Sequence, residues 1–84
     1  MKLVFLERGW EDYLEWQREP KLLRKVNELI RDCMRSSYDG LGKPEPLKHE
    51  LAGWWSRRIS KEHRLVYRID GDQLFILQCR YHYG

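Results

Sequence analysis

Apolar and polar positions recur with different periods along the 84 residues, and these periods predict the secondary structure. The apolar run 3–6 is short and is followed at once by charged residues, which is typical of a strand buried on both faces. Beyond it, large side chains recur at the i, i+3, i+4, i+7 spacing of one helical face: Trp10, Tyr13, Leu14 and Gln17. Three acidic residues on the same helix are expected to face water: Glu11, Asp12 and Glu15.

A second helix is predicted to begin at or just after Pro20, because proline is tolerated in a first helical turn. Its apolar stripe lies on one side: Leu22, Leu23, Val26, Leu29, Ile30, Cys33 and Met34. The glycine-rich and serine-rich stretch 36–43 then predicts a loop. Three β-rich segments follow at 54–59, 64–70 and 73–81, and Asp70-Gly71 indicates a tight hairpin between the last two.

The order strand, two helices, three strands predicts an α+β fold, in which two N-terminal helices pack on a mostly antiparallel, twisted β-sheet. A chain of this length is expected to form a single domain, 1–84. The composition, 42% hydrophobic and 13% aromatic, excludes an intrinsically disordered chain. Small domains bury little surface on folding, so a partner protein or self-association is expected.

Two features indicate the compartment. Cys33 and Cys79 lie in a helical and a strand pattern, outside any zinc-type spacing, and are expected to be buried free thiols in a reducing compartment. The apolar run at the N-terminus is too short for a signal peptide or a membrane span. We therefore expect a cytoplasmic protein that does not associate with membranes.

The net charge of +3 is small, but the basic residues concentrate in the second half. Residues 48–68 include six basic side chains and only two acidic ones. The basic residues are Lys48, Arg57, Arg58, Lys61, Arg64 and Arg68, and the acidic ones are Glu50 and Glu62. This excess predicts a basic surface, although a solvated mixed-charge surface also fits. Three aromatic residues of this region can either stack on bases or belong to the core: Trp54, Trp55 and Tyr67. Because neighbouring residues of a strand point to opposite faces, at least one of the two tryptophans is expected to point inward.

Glu45 stands between Pro44 and Pro46, which hold it on a stiff, extended segment. A positioned carboxylate is what a general base requires. A rigid exposed turn with an incidental acid fits the same residues.

Arg58 and Arg64 flank a short turn between two predicted strands, so their guanidinium groups are expected to lie near each other. Two fixed guanidinium groups can clamp a phosphate and stabilise charge that develops on it. Alternatively, these cations serve only to keep a sheet edge from pairing.

His82 lies near the C-terminus, just after a predicted strand that holds the chain to Tyr81. A fixed histidine is well suited to protonate a leaving alkoxide. Together with Glu45, Lys48, Arg58 and Arg64, it forms a set suited to RNA cleavage without a metal or other cofactor. In that reaction the 2′-OH attacks the adjacent phosphorus, which gives a 2′,3′-cyclic phosphate or the derived 3′-phosphate and a 5′-hydroxyl.

Several motifs spread along the chain resemble the YoeB toxins of the YefM–YoeB toxin–antitoxin pairs, in the wider RelE-type superfamily. The motifs are long and span residues 1–83: Trp10-Glu11-Asp12-Tyr13-Leu14, Asn27-Glu28-Leu29-Ile30, the segment 42–49, Trp55-Ser56-Arg57-Arg58-Ile59, His63-Arg64-Leu65-Val66-Tyr67 and Cys79-Arg80-Tyr81-His82-Tyr83. The resemblance implies a RelE-like microbial RNase fold that can dimerise. It also implies a ribosome-dependent mRNA interferase whose partners are the 70S ribosome, mRNA and a YefM-type antitoxin.

The functional positions of that family fall on residues of this chain. The resemblance implies Glu45 as base, Arg64 as the group that stabilises the transition state and His82 as acid. It implies that phosphate contact and substrate placement fall to supporting residues: Lys48, Arg58 and Tyr83. Two roles stay open for Glu45, a strict base or an acceptor that orients the 2′-OH, because nearby cations favour its charged form.

Three function classes follow from these residues: a ribosome-dependent endoribonuclease, a non-enzymatic RNA-binding or ribosome-binding domain, and a structural partner. Binding needs cations but neither the carboxylate nor a terminal histidine. The combination of Glu45, Arg64 and His82 therefore favours the nuclease.

Overall fold

A computed structural model describes residues 1–82 and has two helices on a five-stranded sheet. The elements follow in chain order: β1 (Lys2–Phe5), α1 (Glu7–Trp16), α2 (Pro20–Arg35), β2 (Glu45–Pro46), a 3₁₀ turn (His49–Leu51), β3 (Trp55–Arg58), β4 (Arg64–Asp70) and β5 (Gln73–Gln78). The strand order is β1-β5-β4-β3-β2, and only the β1–β5 pair is parallel. The predicted α+β architecture is confirmed. No helix within residues 1–82 is long and apolar enough to span a membrane.

The core lies between the helices and one face of the sheet. Side chains alternate between the two faces of a strand, so Leu65 and Tyr67 of β4 point the same way, toward the helices. Their neighbours on β5, Leu74 and Ile76, join them, and the α2 stripe covers all four. The buried members of that stripe are those predicted from its spacing: Val26, Leu29, Ile30 and Cys33.

The predicted orientation of α1 was wrong. Trp10 and Leu14 are about half exposed, whereas Asp12 and Trp16 are buried. Hydrogen bonds to Cys79, which directly follows β5, set this orientation. The Asp12 carboxylate accepts from the Cys79 N–H (3.1 Å), and Trp16 Nε1 donates to the Cys79 carbonyl (2.6 Å). A buried polar group must find a partner, and here that requirement outweighs the burial of two apolar side chains.

Gly9 allows α1 to approach the sheet closely. A Cβ at this position would lie 2.5 Å from the Ile76 carbonyl oxygen, a backbone atom of β5 that cannot move aside as a flexible side chain could. The α1 backbone therefore packs directly against β5, with Cys79 buried beneath it.

Two strand predictions need correction. The strand at 3–6 was expected to be buried on both faces, but β1 is an edge strand and Leu3 is 40% exposed. The last strand was expected to reach Tyr81 and ends at Gln78. The hairpin after Asp70 is confirmed, because Asp70 pairs with Gln73 across a two-residue turn.

Arg57 was expected to belong to a basic surface and is instead fully buried. Odd-numbered residues of β3 face the helices, so its guanidinium group enters the core beside Asp32 of α2, with which it forms an ion pair. It also donates to Tyr67 Oη (3.1 Å) and to three loop carbonyls: those of Ser36, Asp39 and Leu41. We call Asp32, Arg57 and Tyr67 the buried arginine cluster.

The buried arginine cluster holds the loop that leads to β2. Asp32 accepts from the Leu41 N–H (2.9 Å), and Tyr67 Oη donates to the Ser37 carbonyl (2.6 Å). The hydrogen bond from Leu41, followed by those from Arg35 and Arg57, lowers the pKa of Asp32 to about 2. Burial raises the pKa of Tyr67 to about 12, so its phenol stays protonated and able to donate.

Candidate active site

The sheet face opposite the helices carries cations from adjacent strands. Even-numbered residues of β3 and β4 point to this side, and residues paired across strands share a face. Arg58 lies directly opposite Arg64, which confirms that the two arginines are neighbours. Further along β4, Arg68 lies over the Trp54 ring, with Cζ 5.9 Å from the ring centroid. We call the surface formed by Arg58, Arg64 and Arg68 the cationic face.

Arg64 is the most constrained residue of the cationic face and is only 8% exposed. Its Nη1 donates to three carbonyl oxygens of the preceding turn: those of Ser60 (2.8 Å), Lys61 (3.3 Å) and His63 (3.1 Å). Among residues 1–82 its Nε and Nη2 have no protein acceptor. This arrangement fixes the guanidinium plane and leaves one edge for a ligand such as phosphate.

Glu45 lies on the same face through strand pairing. It is opposite Ser56 in the β2–β3 ladder, and Ser56 precedes Arg58 by two residues, so Glu45 and Arg58 point to the same side. The predicted extended conformation of the Pro-Glu-Pro segment is confirmed by β2. The Glu45 side chain is exposed and borders an open groove of about 370 Å³ that Lys48 and His49 also line.

His82 lies in the C-terminal segment beyond β5, next to a backbone contact with β4. Although β5 ends at Gln78, the chain returns to β4, where the Arg64 N–H donates to the Tyr81 carbonyl (3.1 Å). His82 is exposed and follows this contact directly. The remaining predicted site residue, Tyr83, lies outside the described residues.

Left-handed backbone conformations lie next to the predicted site residues. Within residues 1–82 three residues other than glycine have a positive φ: Lys43 (52°), His49 (57°) and Tyr81 (60°). They lie two residues before Glu45, immediately after Lys48 and immediately before His82. Such conformations are costly for residues with a side chain and cluster at functional sites.

The aromatic predictions divide between the two faces. Trp55 packs against the core, as expected for at least one of the two tryptophans, and Trp54 lies on the cationic face. Tyr67 is fully buried in the buried arginine cluster and cannot stack on a base. The predicted buried thiols are confirmed, and burial raises the pKa of both Cys33 and Cys79 to about 12.

Two residues near the site were missed in the sequence. His63 accepts a hydrogen bond from the Tyr81 N–H at its Nδ1 (2.7 Å), and Gln78 is paired with Val66 beside Arg64. Gln78 is 7% exposed, and its buried Nε2 has no acceptor among residues 1–82. His63 directly precedes Arg64 in the sequence, but neither residue spacing nor composition indicated that it would contact the C-terminal segment.

Similar proteins cover nearly the whole chain. The family described as YoeB-like toxin of bacterial type II toxin-antitoxin system matches residues 5–83. Toxin YoeB of Escherichia coli K12 is 57% identical over 84 residues, 99% of this chain and all of the relative. A YoeB/ParE toxin structure from Agrobacterium tumefaciens has 52% identity and a TM-score of 0.95, and the match covers 99% of this chain and all of that one.

A third relative, YoeB from Staphylococcus aureus, was solved both in complex with YefM and as a dimer. Each of these structures has 42% identity and a TM-score of 0.91, with 99% of this chain and 98% of that chain covered.

The family match and the YoeB structures with the same two helices on a five-stranded sheet show that the chain is a toxin of a bacterial type II toxin–antitoxin system. Within that class, the chain belongs to the YoeB family.

Proposed function

We propose that this toxin is a ribosome-dependent mRNA endoribonuclease. It cuts mRNA in the ribosomal A site by attack of the 2′-OH on the adjacent phosphate and so inhibits translation. Glu45, Arg64 and His82 carry the reaction, and Lys48, Arg58 and Tyr83 place the RNA.

The observation that carries this proposal is the convergence of distant segments on one corner of the sheet. Strand register puts Glu45, Arg58 and Arg64 on a common face, and the hydrogen bond between the Arg64 N–H and the Tyr81 carbonyl ties in the segment before His82. An RNA-binding module would need only the cations. The addition of a carboxylate and a histidine supplies an acceptor and a donor of protons.

The contacts of Arg64 support its role at the phosphate. Its Nη1 is occupied by the carbonyls of the turn, so the side chain needs little reorganisation when substrate arrives. Nε and Nη2 can then donate in parallel to two phosphate oxygens and stabilise the charge that develops in the transition state.

Glu45 and His82 act on opposite sides of the phosphorus. Glu45 accepts a hydrogen bond from the 2′-OH and directs the oxygen toward phosphorus. As the bond from the 2′-oxygen to phosphorus forms, the 2′-OH proton passes to Glu45 if it is a strict base, or to water if it only orients the hydroxyl. The bond from phosphorus to the 5′-oxygen breaks, and His82 gives a proton to that departing oxygen. The products are a 2′,3′-cyclic phosphate, or the 3′-phosphate formed from it, and a 5′-hydroxyl. This chemistry assigns no role to a metal ion or another cofactor.

The same face is the proposed target of a YefM-type antitoxin. Lys48, Arg58 and Arg68 are exposed there, so an acidic antitoxin segment that folds on binding would neutralise them and cover the site. The S. aureus relative was solved with YefM and as a dimer, which supports both an antitoxin and a homodimer for this chain.

Expression without an antitoxin tests this function. We expect translation and growth to stop, with mRNA cut at ribosome-occupied positions. His82→Gln keeps hydrogen-bonding capacity but loses the acid, so cleavage should fall by roughly 10²–10⁴-fold while the protein stays folded. Intact transcripts at verified levels of the parent toxin would contradict the proposal and favour the non-enzymatic ribosome-binding domain.

A further inference from the structure

Tyr81 has a backbone conformation that the surrounding contacts must maintain. Its φ of 60° lies in the left-handed region, which costs a residue with a Cβ on the order of 1–2 kcal/mol. The side chain is 52% exposed, so burial of its ring does little to offset this cost. Because Tyr81 immediately precedes His82, its φ and ψ determine the direction in which the chain enters His82.

Both peptide groups of Tyr81 are held by adjacent residues of a single turn. Its N–H donates to His63 Nδ1 (2.7 Å), and its carbonyl accepts from the Arg64 N–H (3.1 Å). The second contact is a backbone contact that nearly any residue at position 64 could make. The first depends on the side chain at position 63.

The imidazole of His63 is itself fixed. It meets the buried Trp16 ring edge-on, with centroids 4.7 Å apart and planes at 89°, and it lies 5.3 Å from the Tyr81 ring. Trp16 is anchored in turn by its hydrogen bond to the Cys79 carbonyl. The imidazole that accepts from the Tyr81 N–H is therefore held in place by its contact with the core residue Trp16.

His63 also contacts the arginine proposed to stabilise the transition state. Its backbone carbonyl accepts from Arg64 Nη1 (3.1 Å), while its ring accepts from Tyr81. One residue thus contacts Arg64 directly and His82 through a single peptide. To accept at Nδ1, the imidazole must be neutral and carry its proton on Nε2.

We propose that His63 is a positioning residue that holds Tyr81 in its left-handed conformation and thereby aims His82 at the leaving oxygen. The proposal rests on the catalytic role proposed for His82. His63 touches neither substrate nor reacting atoms, and its contribution is the geometry of the acid relative to Arg64. Misplacement of a catalytic group by about 1 Å can cost on the order of 10²-fold in rate.

Two variants separate the acceptor from the ring. His63→Phe keeps an aromatic ring against Trp16 but removes the Nδ1 acceptor. His63→Asn loses the ring but carries Oδ1 near the place of Nδ1. We expect the saturating single-turnover rate on programmed ribosomes to fall roughly 10–100-fold in His63→Phe, with the ribosome concentration at half-maximal rate unchanged. His63→Asn should recover most of the rate.

Amide exchange at Tyr81 gives a readout that does not require activity. We expect protection of the Tyr81 amide to fall roughly tenfold or more in His63→Phe and to persist in His63→Asn. Unchanged protection in His63→Phe, or cleavage at the parent rate despite lost protection, would overturn the proposal. If His63→Phe does not fold, ¹⁵N shifts of the parent His63 ring decide instead: an Nε2–H tautomer with an accepting Nδ1 supports the proposal, and a protonated Nδ1 overturns it.

The two proposals fail in different ways. A parent toxin that cuts no mRNA, or a His82→Gln variant that cuts at the parent rate, overturns the assignment of His82 as the acid. The positioning role of His63 then falls with it. Parent-level cleavage by His63→Phe combined with a slow His82→Gln variant overturns only the role of His63.

Discussion

Arg57 and Arg58 are neighbours in sequence, yet they lie on opposite faces of β3. Arg57 is fully buried, paired with Asp32 and hydrogen-bonded to three loop carbonyls, whereas Arg58 is exposed opposite Arg64. The alternation of a strand alone makes this difference. The helix-facing arginine binds the loop that leads to β2, and the outward-facing one is exposed on the cationic face.

The largest expected effect follows from removing the buried partner. Arg57→Met removes the buried cation that pairs with Asp32 and the donor to three loop carbonyls, and should reduce the free energy of unfolding by about 3–5 kcal/mol. Arg58→Met, the matched control one residue away, should change it by less than about 0.5 kcal/mol. Urea denaturation of both variants measures the difference, and equal losses would refute the division between the two faces.

Arg64 should respond in the opposite sense, with a large loss of activity and a small loss of stability. Arg64→Ala removes the proposed phosphate donor and should slow cleavage by roughly 10²–10³-fold. Arg64→Lys should recover little, because an ammonium group lacks the planar fork. Single-turnover rates measure this effect. An active Arg64→Ala variant would remove the arginine from the mechanism.

Substitutions of Glu45 test whether its carboxylate is a strict base or an acceptor that orients the 2′-OH. The Glu45 side chain is exposed in the groove that Lys48 also lines. A glutamine there keeps an acceptor oxygen for the 2′-OH but cannot take its proton, so it separates an orienting acceptor from a strict base. We expect Glu45→Ala to slow cleavage by roughly 10²-fold and Glu45→Gln to slow it by about tenfold. Equal losses in the two variants would establish a strict base.

The smallest effect concerns acid stability. The pKa of Asp32 is lowered to about 2, below its usual value of 3.8, so its contribution to stability is present above pH 4 and is lost as the pH falls toward 2. Thermal unfolding at a series of pH values should show this loss, and Asp32→Asn should flatten the profile. A parent profile that stays level between pH 4 and 2 would contradict the assignment.

The order of the helices and of the four longer strands followed from the sequence, because α2 has an unbroken apolar stripe and the strand segments are rich in β-branched and aromatic residues. The two-residue strand β2 and the 3₁₀ turn did not. The side of α1 that faces the sheet did not follow. It is set by two hydrogen bonds with Cys79, one accepted by Asp12 and one donated by Trp16, and both link residues more than sixty positions apart. Local spacing carries no information on such contacts. The buried position of Arg57 was missed for the same reason, because its partner Asp32 lies on α2, 25 positions away in the sequence.

The placement of some candidate site residues could be predicted, whereas the contacts that support them could not. Arg58 and Arg64 flank one turn, so their proximity followed from chain order, and the two prolines gave the extended conformation at Glu45. The contact between His63 and Tyr81 joins segments 18 residues apart through a left-handed residue. Neither feature leaves a signature in composition or periodicity.

We propose that residues of the cationic face, with Glu45 and His82, cut RNA by attack of the 2′-OH. The most direct test is to analyse the ends of mRNA cut on programmed ribosomes by the parent toxin, with His82→Gln as the matched control. A 2′,3′-cyclic phosphate or 3′-phosphate with a 5′-hydroxyl, formed far more slowly by the control, is the expected result. A 5′-phosphate with a 3′-hydroxyl would indicate attack by water and contradict the account.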